Sequence, residues 1–573
     1  MKNKKSYIIA FLLLFSSGLA FAATVPAKEM AGGVEARRAV QENDLNLRQS
    51  IQKDRAPAGL DKVREEEIAK LPDTQKVLVK NIEVSGVKLL EMKEIDAIIR
   101  PFEQHTLAMK DMQEVANRIT DAYRQKGFIT SRAVLPPQKL DDGVLRINVV
   151  EGFLGNISVS GNKYFSSRLF VRRIGLRSGD AFNYAKLQTN LSTINQYPDR
   201  NVKTVLTPGK APGTTDLVLN VKDNLPIHAG LSWDNYGSKY LKRQRYQGTL
   251  THNNLTGHDD IMTLTYQTAA GRETFRLNSL RYLFPLTNAT QIGFSAGTTQ
   301  LRLGKEFYDL NARGKSKIYS LFMTNSLIKN DTYELSLESG FDYKDVFNFE
   351  FEEETSRDRL RILKTGLKLD ISDSFNGRTI INNEISQGFP SRWGALEKHD
   401  PRASRAGSGG TFTKNVLDIL RLQRLPHSVM LLLKAQQQFA SRTLASAEEF
   451  QIGGISNVRG YPSGEAVGDT GVSFTSELSF PVYFIPKGVK VPWSKARVYD
   501  SLRLSAFYDW AEATLRQVPA GEAKSRNLSS IGCGLRFDLP ENFSARLDVA
   551  WPLDDFPADG KRMHTWLKVS KEF

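Results

Sequence analysis

From residue 226 to residue 573 the chain repeats one pattern: short stretches of alternating apolar and polar side chains, parted by polar turns, with no helical interruption. Leu363, Thr365, Leu367, Leu369 and Ile371 alternate with Ile362, Lys364, Gly366, Lys368 and Asp370. Tyr333, Leu335 and Leu337 alternate with Glu334, Ser336 and Glu338. Ile531, Cys533, Leu535 and Phe537 alternate with Gly532, Gly534, Arg536 and Asp538, and Ala545, Leu547, Val549 and Trp551 with Arg546, Asp548 and Ala550. A period of two belongs to strands, whose successive side chains leave on opposite faces. One face is apolar and the other is charged even in mid-strand. A soluble sandwich can carry the same dyad with its polar face in water, but a single sandwich rarely grows this long.

The first residues direct the chain out of the cytoplasm. Lys2, Lys4 and Lys5 precede a short apolar core, and Ala20-Phe21-Ala22 supplies the small residues of a cleavage site, so residues 1–22 read as a signal peptide. That core is too short for a comfortable bilayer span, and no later run of about 18 apolar residues exists. In an exported chain, strands greasy on one face and charged on the other fit a transmembrane antiparallel β-barrel. Lipid offers no hydrogen bonds, so the sheet must close, with apolar side chains toward lipid and polar ones toward the lumen. At about 10 residues per strand plus connections, residues 226–573 allow roughly 16 strands.

The formal net charge is +15. An exported chain meets little nucleic acid, so this excess serves a membrane surface, a lumen or a partner. The single cysteine, Cys533, permits no internal disulfide and no cysteine-held metal cluster, and the seven histidines are scattered. The sequence holds no HExxH, no GxSxG, no phosphate loop with GK[ST] and no GxGxxG in the right setting. No catalytic, cofactor or metal site is expected.

Residues 23–75 combine a charged, helix-compatible stretch, VEARRAVQENDLNLRQSIQK, with a linker bounded by Pro57, Gly59 and Pro72. The apolar stripe of that helix (Val40, Leu47, Ile51) is too thin for a dry core and suits water or a polar cavity. Residues 76–151 read as a β-α-α-β-β unit. KVLVKNIEVSG is a strand, residues 91–99 and 110–126 are helices, Gly127 stops the second, and residues 128–135 and 143–150 are strands. Residues 152–225 repeat the order. NISVSGN echoes NIEVSGV, residues 166–174 and 184–195 are helical, and residues 202–208 and 215–221 pair as strands. The repeat predicts two copies of one module.

Five local sequences stand out. Val458-Arg459-Gly460-Tyr461 lies within the glycine-rich QIGGISNVRGYPSGEAVGDTG. Phe507-Tyr508-Asp509-Trp510-Ala511 lies in a stretch where Ser505, Phe507 and Asp509 alternate with Leu504, Ala506, Tyr508 and Trp510, which puts Asp509 on the polar face. Trp233-Asp234-Asn235-Tyr236-Gly237 and Asn254-Leu255-Thr256-Gly257-His258-Asp259-Asp260 open the barrel region. At the end, Thr565, Leu567, Val569, Lys571 and the terminal Phe573 share one face.

Together these features resemble the two-partner secretion transporters, the TpsB branch of the Omp85 superfamily, over essentially the whole mature chain. The resemblance implies two periplasmic α+β POTRA domains (76–151 and 152–225), an outer-membrane β-barrel (226–573) and an N-terminal plug helix with its linker (23–75). It further implies that Val458, Arg459, Gly460 and Tyr461 sit on a loop folded into the lumen, facing Phe507 and Asp509 of an FxDxG-type segment in which Ala511 replaces the usual glycine. An arginine there needs a carboxylate, which its planar fork matches in a way lysine cannot. The implied function is export of one large exoprotein (a haemolysin, adhesin or contact-dependent toxin of the TpsA type) captured by the POTRA domains and passed through the barrel without ATP. Outer-membrane lipid and, during biogenesis, the barrel-assembly machinery are further implied partners; nucleic acid is not. The main alternative is an Omp85-type insertase, whose bacterial relatives usually carry more POTRA modules. A passive porin or a β-rich secreted glycosidase fits less well, since a porin has no use for two such modules and acid runs such as Glu352 to Glu354 read as solvated loops.

Overall fold

The computed structural model describes residues 76–573 apart from 141, 272, 273 and 331. The expected signal peptide (1–22) and the plug helix and linker (23–75) lie outside the described residues.

The first module consists of β1 (Lys76–Val79), β2 (Asn81–Ser85), α1 (Met92–Ile99), β3 (His105–Ala108), α2 (Met109–Gln125), β4 (Arg132–Val134) and β5 (Val144–Val150). Strand β5 is central, parallel to β2 and antiparallel to β4. Ile95, Val115, Ile119 and Tyr123 of the two helices are buried with Ile82, Leu145 and Ile147 of the sheet. KVLVKNIEVSG is two strands rather than the single one expected. The chain changes partner at Lys80: β1 pairs with β3, whereas the amides of Lys80 and Asn81 both donate to Gly143 O and bring β2 alongside β5. Alternation reports which face a residue takes but not which strand it bonds, so the break and the extra strand β3 were silent in the sequence. The strand expected at 128–135 is shortened to β4 because Gly127 (φ 88°) ends α2 in a tight turn, with Phe128 N donating to Tyr123 O (2.9 Å).

The second module consists of β6 (Phe153–Ser160), α3 (Ser167–Ile174), α4 (Tyr184–Asn195), β7 (Arg200–Pro208) and β8 (Thr214–Asp223), with β8 parallel to β6 and antiparallel to β7. Ser166 and Asn183 cap the helices through Leu169 N (3.3 Å) and Lys186 N (3.0 Å). The repeat seen in sequence holds atom by atom. Ser85 Oγ donates to Asn148 Oδ1 (2.8 Å) and Ser160 Oγ to Asn220 Oδ1 (2.7 Å). Gly86 and Gly161 take φ of +83° and +84°, each turned so that a Cβ would meet the carbonyl of Val149 or Val221. Just beyond β5, Glu151 accepts from Lys88 N, Leu89 N and the Tyr123 hydroxyl. In the second copy Asp223 does the same for Lys163, Tyr164 and Phe165 amides. Burial, with the Glu151 carboxylate beside it, pushes the Tyr123 phenol well above its ordinary range.

The remainder is a closed barrel of sixteen antiparallel strands. They are β9 (Ile227–Asp234), β10 (Arg245–His252), β11 (Ile261–Ala269), β12 (Phe275–Pro285), β13 (Thr290–Arg302), β14 (Arg313–Lys329), β15 (Tyr333–Glu350), β16 (Glu353–Ser372), β17 (Gly377–Gly388), β18 (Thr413–Arg424) and β19 (Met430–Ala440). A small ribbon of β20 (Phe450–Ile452) and β21 (Ala466–Gly468) then interrupts the wall. The wall resumes with β22 (Thr470–Pro481), β23 (Leu502–Thr514), β24 (Ser525–Leu539), β25 (Phe543–Pro552) and β26 (His564–Glu572), and a helical turn α5 (Val498–Ser501) precedes β23. Strand β26 pairs back with β9 through Lys568↔Asp234 to Glu572↔Gly230. Beyond these pairs the Asn235 amide continues the seam, accepting from Leu567 N (2.8 Å) and donating to Thr565 O (2.9 Å).

Polarity is inverted relative to a soluble protein. Leu231 and Leu321 are 61% and 60% exposed on the outer wall, while Asp342, Glu477, Asp509 and Asp548 are buried inside. The outward alternation read from β16, β24 and β25 is the observed one. Lys571, in the terminal apolar stripe, turns to the rim and bonds Glu541 O, with Phe573 N donating to Ala229 O (2.8 Å).

The second module is bolted to the barrel. Arg173 of α3 donates Nε to Asp259 Oδ2 (2.8 Å) and Nη2 to His258 O (2.9 Å). Arg200 of β7 engages both oxygens of the same carboxylate. Asp199 receives Asn253 Nδ2 (2.8 Å) and faces His228 Nε2 at 2.7 Å. These contacts place the modules at the rim where β10 turns into β11.

Gly161→Ala should cost the second module about 1–3 kcal/mol, because the residue must keep φ > 0 with its Cβ against Val221 O. The purified full chain should then show faster proteolysis of that module, with the heat-dependent gel mobility of the barrel unchanged. Equal proteolysis of mutant and wild type would show that the backbone relaxes at no cost.

Candidate functional site

The longest connection at the rim opposite the modules, residues 441–469, turns back into the lumen. Its ribbon pairs Phe450 with Gly468 and Ile452 with Ala466, and carries a turn at its tip. Gly453 (φ +98°) and Gly454 (φ +87°) make the first bend, where a Cβ would strike Pro462 O or Ser463. Asn457 locks it: Oδ1 accepts from Gly453 N and Val458 N (both 2.8 Å), and Nδ2 donates to Gln451 O (2.7 Å).

The turn delivers Arg459 to the inner wall. Its Nε and Nη2 donate to Asp509 Oδ2 (2.8 Å) and Oδ1 (2.9 Å), the two-pronged geometry of the guanidinium fork, and its backbone N–H reaches Oδ2 at 3.2 Å. Its Nη1 donates to Glu477 Oε2 (2.7 Å). Its guanidinium carbon stands 3.3 Å from the centroid of the Phe507 ring. The Trp566 indole donates to Arg459 O (2.8 Å). Arg459 and Asp509 are 2% and 0% exposed, so neither charge is shared with bulk water.

Gly460 is required by space rather than by φ. A Cβ there would lie 2.5 Å from Ser530 Cβ and 2.8 Å from Pro552 N, against β24 and the end of β25. Val458 and Tyr461 flank it, fully buried with Phe450, Ile452, Ala511, Ala513 and Leu528. Ala511, standing where the resemblance implies glycine, adds its methyl to this cluster. All six residues singled out in the sequence, Val458, Arg459, Gly460, Tyr461, Phe507 and Asp509, therefore meet at one place on the wall.

The sequence reading missed the rest of the charge network. Arg536 bridges Glu477 (2.8 Å) and Asp548 (2.6 Å), and Arg546 donates to Asp548 Oδ2 (2.7 Å). Arg459 Nη1 lies 3.6 Å from Asp548. Arg536, Arg546 and Asp548 were visible as charges on the polar face of their strands. Their convergence depends on the register of β22 through β25, which a single sequence does not report. Three guanidinium and three carboxylate groups leave the cluster neutral.

A second clasp holds the root of the loop. Arg405, from the connection between β17 and β18, reaches Asp469 Oδ1 (2.7 Å) and Glu449 (2.8 Å). Asp469 also accepts from Leu444 N and Arg516 N (2.7 Å each), and Glu448 binds Lys344 (2.7 Å) and Lys414. The two motifs at the barrel start do different work: Asp234 pairs with Arg245 Nε (2.7 Å), and Asp259 receives the second module. Among the described residues no group of three or more His, Cys, Asp or Glu side chains is arranged to hold a metal.

Comparison with known proteins agrees with this geometry. Residues 213–535 match the family profile described as haemolysin secretion/activation protein ShlB/FhaC/HecB, and residues 77–152 match the ShlB-type POTRA domain. The chain is 24% identical over 492 residues to the heme/hemopexin transporter protein HuxB of Haemophilus influenzae, covering 84% of each chain. It is 24% identical over 417 residues to the outer membrane transporter CdiB of Escherichia coli, covering 71% of this chain and 70% of that one. The solved structure of CdiB from Escherichia coli superposes with a TM-score of 0.73 at 20% identity, covering 97% of this chain and all of the other. A barrel that is apolar outside, a buried arginine loop within and a profile match over more than half of the residues lead to one assignment: the chain belongs to the ShlB/FhaC/HecB family of haemolysin secretion/activation proteins, transporters of the bacterial outer membrane.

Proposed function

We propose that this chain captures one large partner exoprotein in the periplasm and passes it through its barrel to the cell surface without ATP. The observation that carries this reading is the lumen loop held by Arg459 in a closed barrel whose periplasmic rim is bolted to a folded module through Asp259. A porin needs no such module on its rim. The first module is a ShlB-type POTRA domain by its profile match, and the second, which repeats its Ser-Gly turn and its loop-holding carboxylate, serves as another. Each three-stranded sheet offers edge strands, β2 and β4 in the first and β6 and β7 in the second, to which an extended segment can add. Main-chain bonding then supplies affinity, and flanking side chains supply selectivity. Folding of the exported chain outside supplies direction. The terminal stripe ending in Phe573 is the segment through which the barrel-assembly machinery recognises the chain during biogenesis.

In this scheme Val458, Arg459, Gly460 and Tyr461 form the movable element, and Phe507 and Asp509 form its seat. An arginine held by a fork, an aromatic face and a second carboxylate keeps one resting position. The relatives named above are a heme/hemopexin transporter protein and an outer membrane transporter.

Three results test the reading. Arg459→Ala should lower release of the partner exoprotein into the medium at least tenfold while the barrel remains in the membrane and heat-modifiable; Arg459→Lys, which keeps the charge but loses the fork, should restore only part (about 3–5 kcal/mol is at stake when one member of a buried pair is removed). Normal release from Arg459→Ala would remove the loop from the mechanism. Asp259→Arg should detach the second module, exposing residues 224–226 to protease and stopping export, and combining it with Arg173→Asp and Arg200→Asp should recover part of both. Deleting residues 76–151 should abolish pull-down of the exoprotein's N-terminal region, and undiminished capture would move recognition to the second module or the barrel.

A further inference from the structure

Among the described residues, turns at the periplasmic end are short, as in 373–376 and 540–542, and apart from one none is longer than 253–260. The exception is residues 482–501, between β22 and β23. Barrels keep periplasmic turns short and extend the loops on the other side, so this segment has a reason of its own. It is folded. Val491 N donates to Ala496 O and Val498 N to Val489 O (2.9 Å each), with Lys490 and Arg497 bridged between them. It is strapped to both neighbouring turns: Tyr483 donates its hydroxyl to His427 O (2.6 Å), and Ser494 donates to Glu541 Oε1 (2.7 Å).

It also lies on the outer side of the wall. Leu539, at the end of β24, shares the outward row with Ile531, Cys533, Leu535 and Phe537 by its pairing with β25. Ile531 is 50% exposed, as a lipid-facing residue should be, whereas Leu539 is 6% exposed. α5 packs against β23 and β24 at this level. The covered patch continues the lipid-facing wall to its periplasmic edge, where acyl chains give way to headgroups.

The face this hairpin presents is neither a soluble surface nor a core. Phe484 and Trp493 are 77% and 74% exposed, and Tyr483 and Val489 join them. Lys487, Lys490, Lys495 and Arg497 are exposed among them; Lys487 stands over the Tyr499 ring (5.3 Å), and among the described residues none of the four makes an ion pair with a carboxylate. Asp500 is the one acid in the segment. Exposed tryptophan and phenylalanine are costly in water and favoured at the membrane interface, where lysine and arginine stems lie along the apolar boundary with their charges at the headgroups. Cations beside them with no carboxylate counter-charge favour anionic headgroups over zwitterionic ones.

We propose that residues 482–501 form a foot on the inner leaflet of the outer membrane, with Phe484 and Trp493 entering the acyl–headgroup boundary and Lys487, Lys490, Lys495 and Arg497 binding anionic phospholipid headgroups. The inference rests on the reading of the barrel as membrane-spanning with its modules in the periplasm. The foot anchors β22 and β23, the strands that carry Glu477 and Asp509, so it steadies the wall against which the lumen arginine sits.

The full chain reconstituted in phosphatidylethanolamine–phosphatidylglycerol vesicles, with or without lipid brominated in the upper acyl chain, tests this by tryptophan quenching. The emission component lost in Trp493→Phe should fall at least about twofold with brominated lipid. The component lost in Trp551→Phe, which reports the lipid-facing wall, should fall as well. Quenching at Trp551 but not at Trp493 overturns the foot and leaves the segment free for a periplasmic protein. Quenching at neither overturns the membrane-spanning reading and the foot with it. Combined Lys487→Gln, Lys490→Gln, Lys495→Gln and Arg497→Gln should abolish the dependence of Trp493 quenching on phosphatidylglycerol content, and an unchanged dependence overturns the headgroup recognition.

Discussion

A strand surrounded by lipid has no water to bond, so a sheet survives there only when its first and last strands find each other. In this chain that meeting is β26 with β9, through the short run Lys568↔Asp234 to Glu572↔Gly230. The strands opposite are far longer, with β15 and β16 paired from Tyr333↔Ile371 to Glu350↔Glu353. The seam is therefore the least extensively bonded join in the wall. The chain compensates beyond those pairs: the Asn235 side-chain amide carries the pairing on to Thr565 and Leu567, and the Phe573 backbone N–H reaches Ala229 O. The terminal aromatic residue is thus part of the closure.

Closure fixes the second constraint, which is charge. With the outer wall given to lipid, the polar half of every strand faces a confined lumen, where an unpaired charge is costly. The chain answers with a neutral network. Arg459, Arg536 and Arg546 meet Asp509, Glu477 and Asp548 on four adjacent strands and one loop. The same loop touches the seam. Trp566 of β26 donates to Arg459 O and lies edge-on to Tyr236, two residues past the end of β9. One side chain thereby joins the closing strands to the lumen arginine.

Period-two alternation made the barrel, its inside and its outside, and its approximate strand number readable, because alternation is a property of one strand at a time. The repeat of NIEVSGV in NISVSGN was readable for a related reason: the same turn needs the same glycine, and Gly86 and Gly161 both hold positive φ against a carbonyl. What escaped was everything set by pairing between strands. KVLVKNIEVSG reads as one strand because both halves alternate, and only the partner change at Lys80 divides it. Glu477 carried no signal as a member of the arginine site, since its position opposite Phe507 is a matter of register. Asp259 was noticed in a motif, but its partners Arg173 and Arg200 lie in another module and gave no hint of it.

The neutral cluster also bears on how a loop seated so firmly can move. An isolated buried arginine–aspartate pair resists separation because each charge is left without a partner. Here Arg459 already donates to Glu477 and lies 3.6 Å from Asp548, while Asp509 accepts the Arg459 backbone N–H and the Ser530 hydroxyl at 3.4 Å. In the proposed transport cycle, a guanidinium leaving Asp509 would have Glu477 and Asp548 beside it, so its displacement would not pass through an unpaired charge. The outer clasp of Arg405 on Asp469 and Glu449 involves the root of the loop and not its tip. In the proposed scheme the tip exchanges partners along the wall while the root, held at Glu449 and Asp469, stays fixed, so displacement of the loop is a swing about those two residues rather than a release of the whole connection.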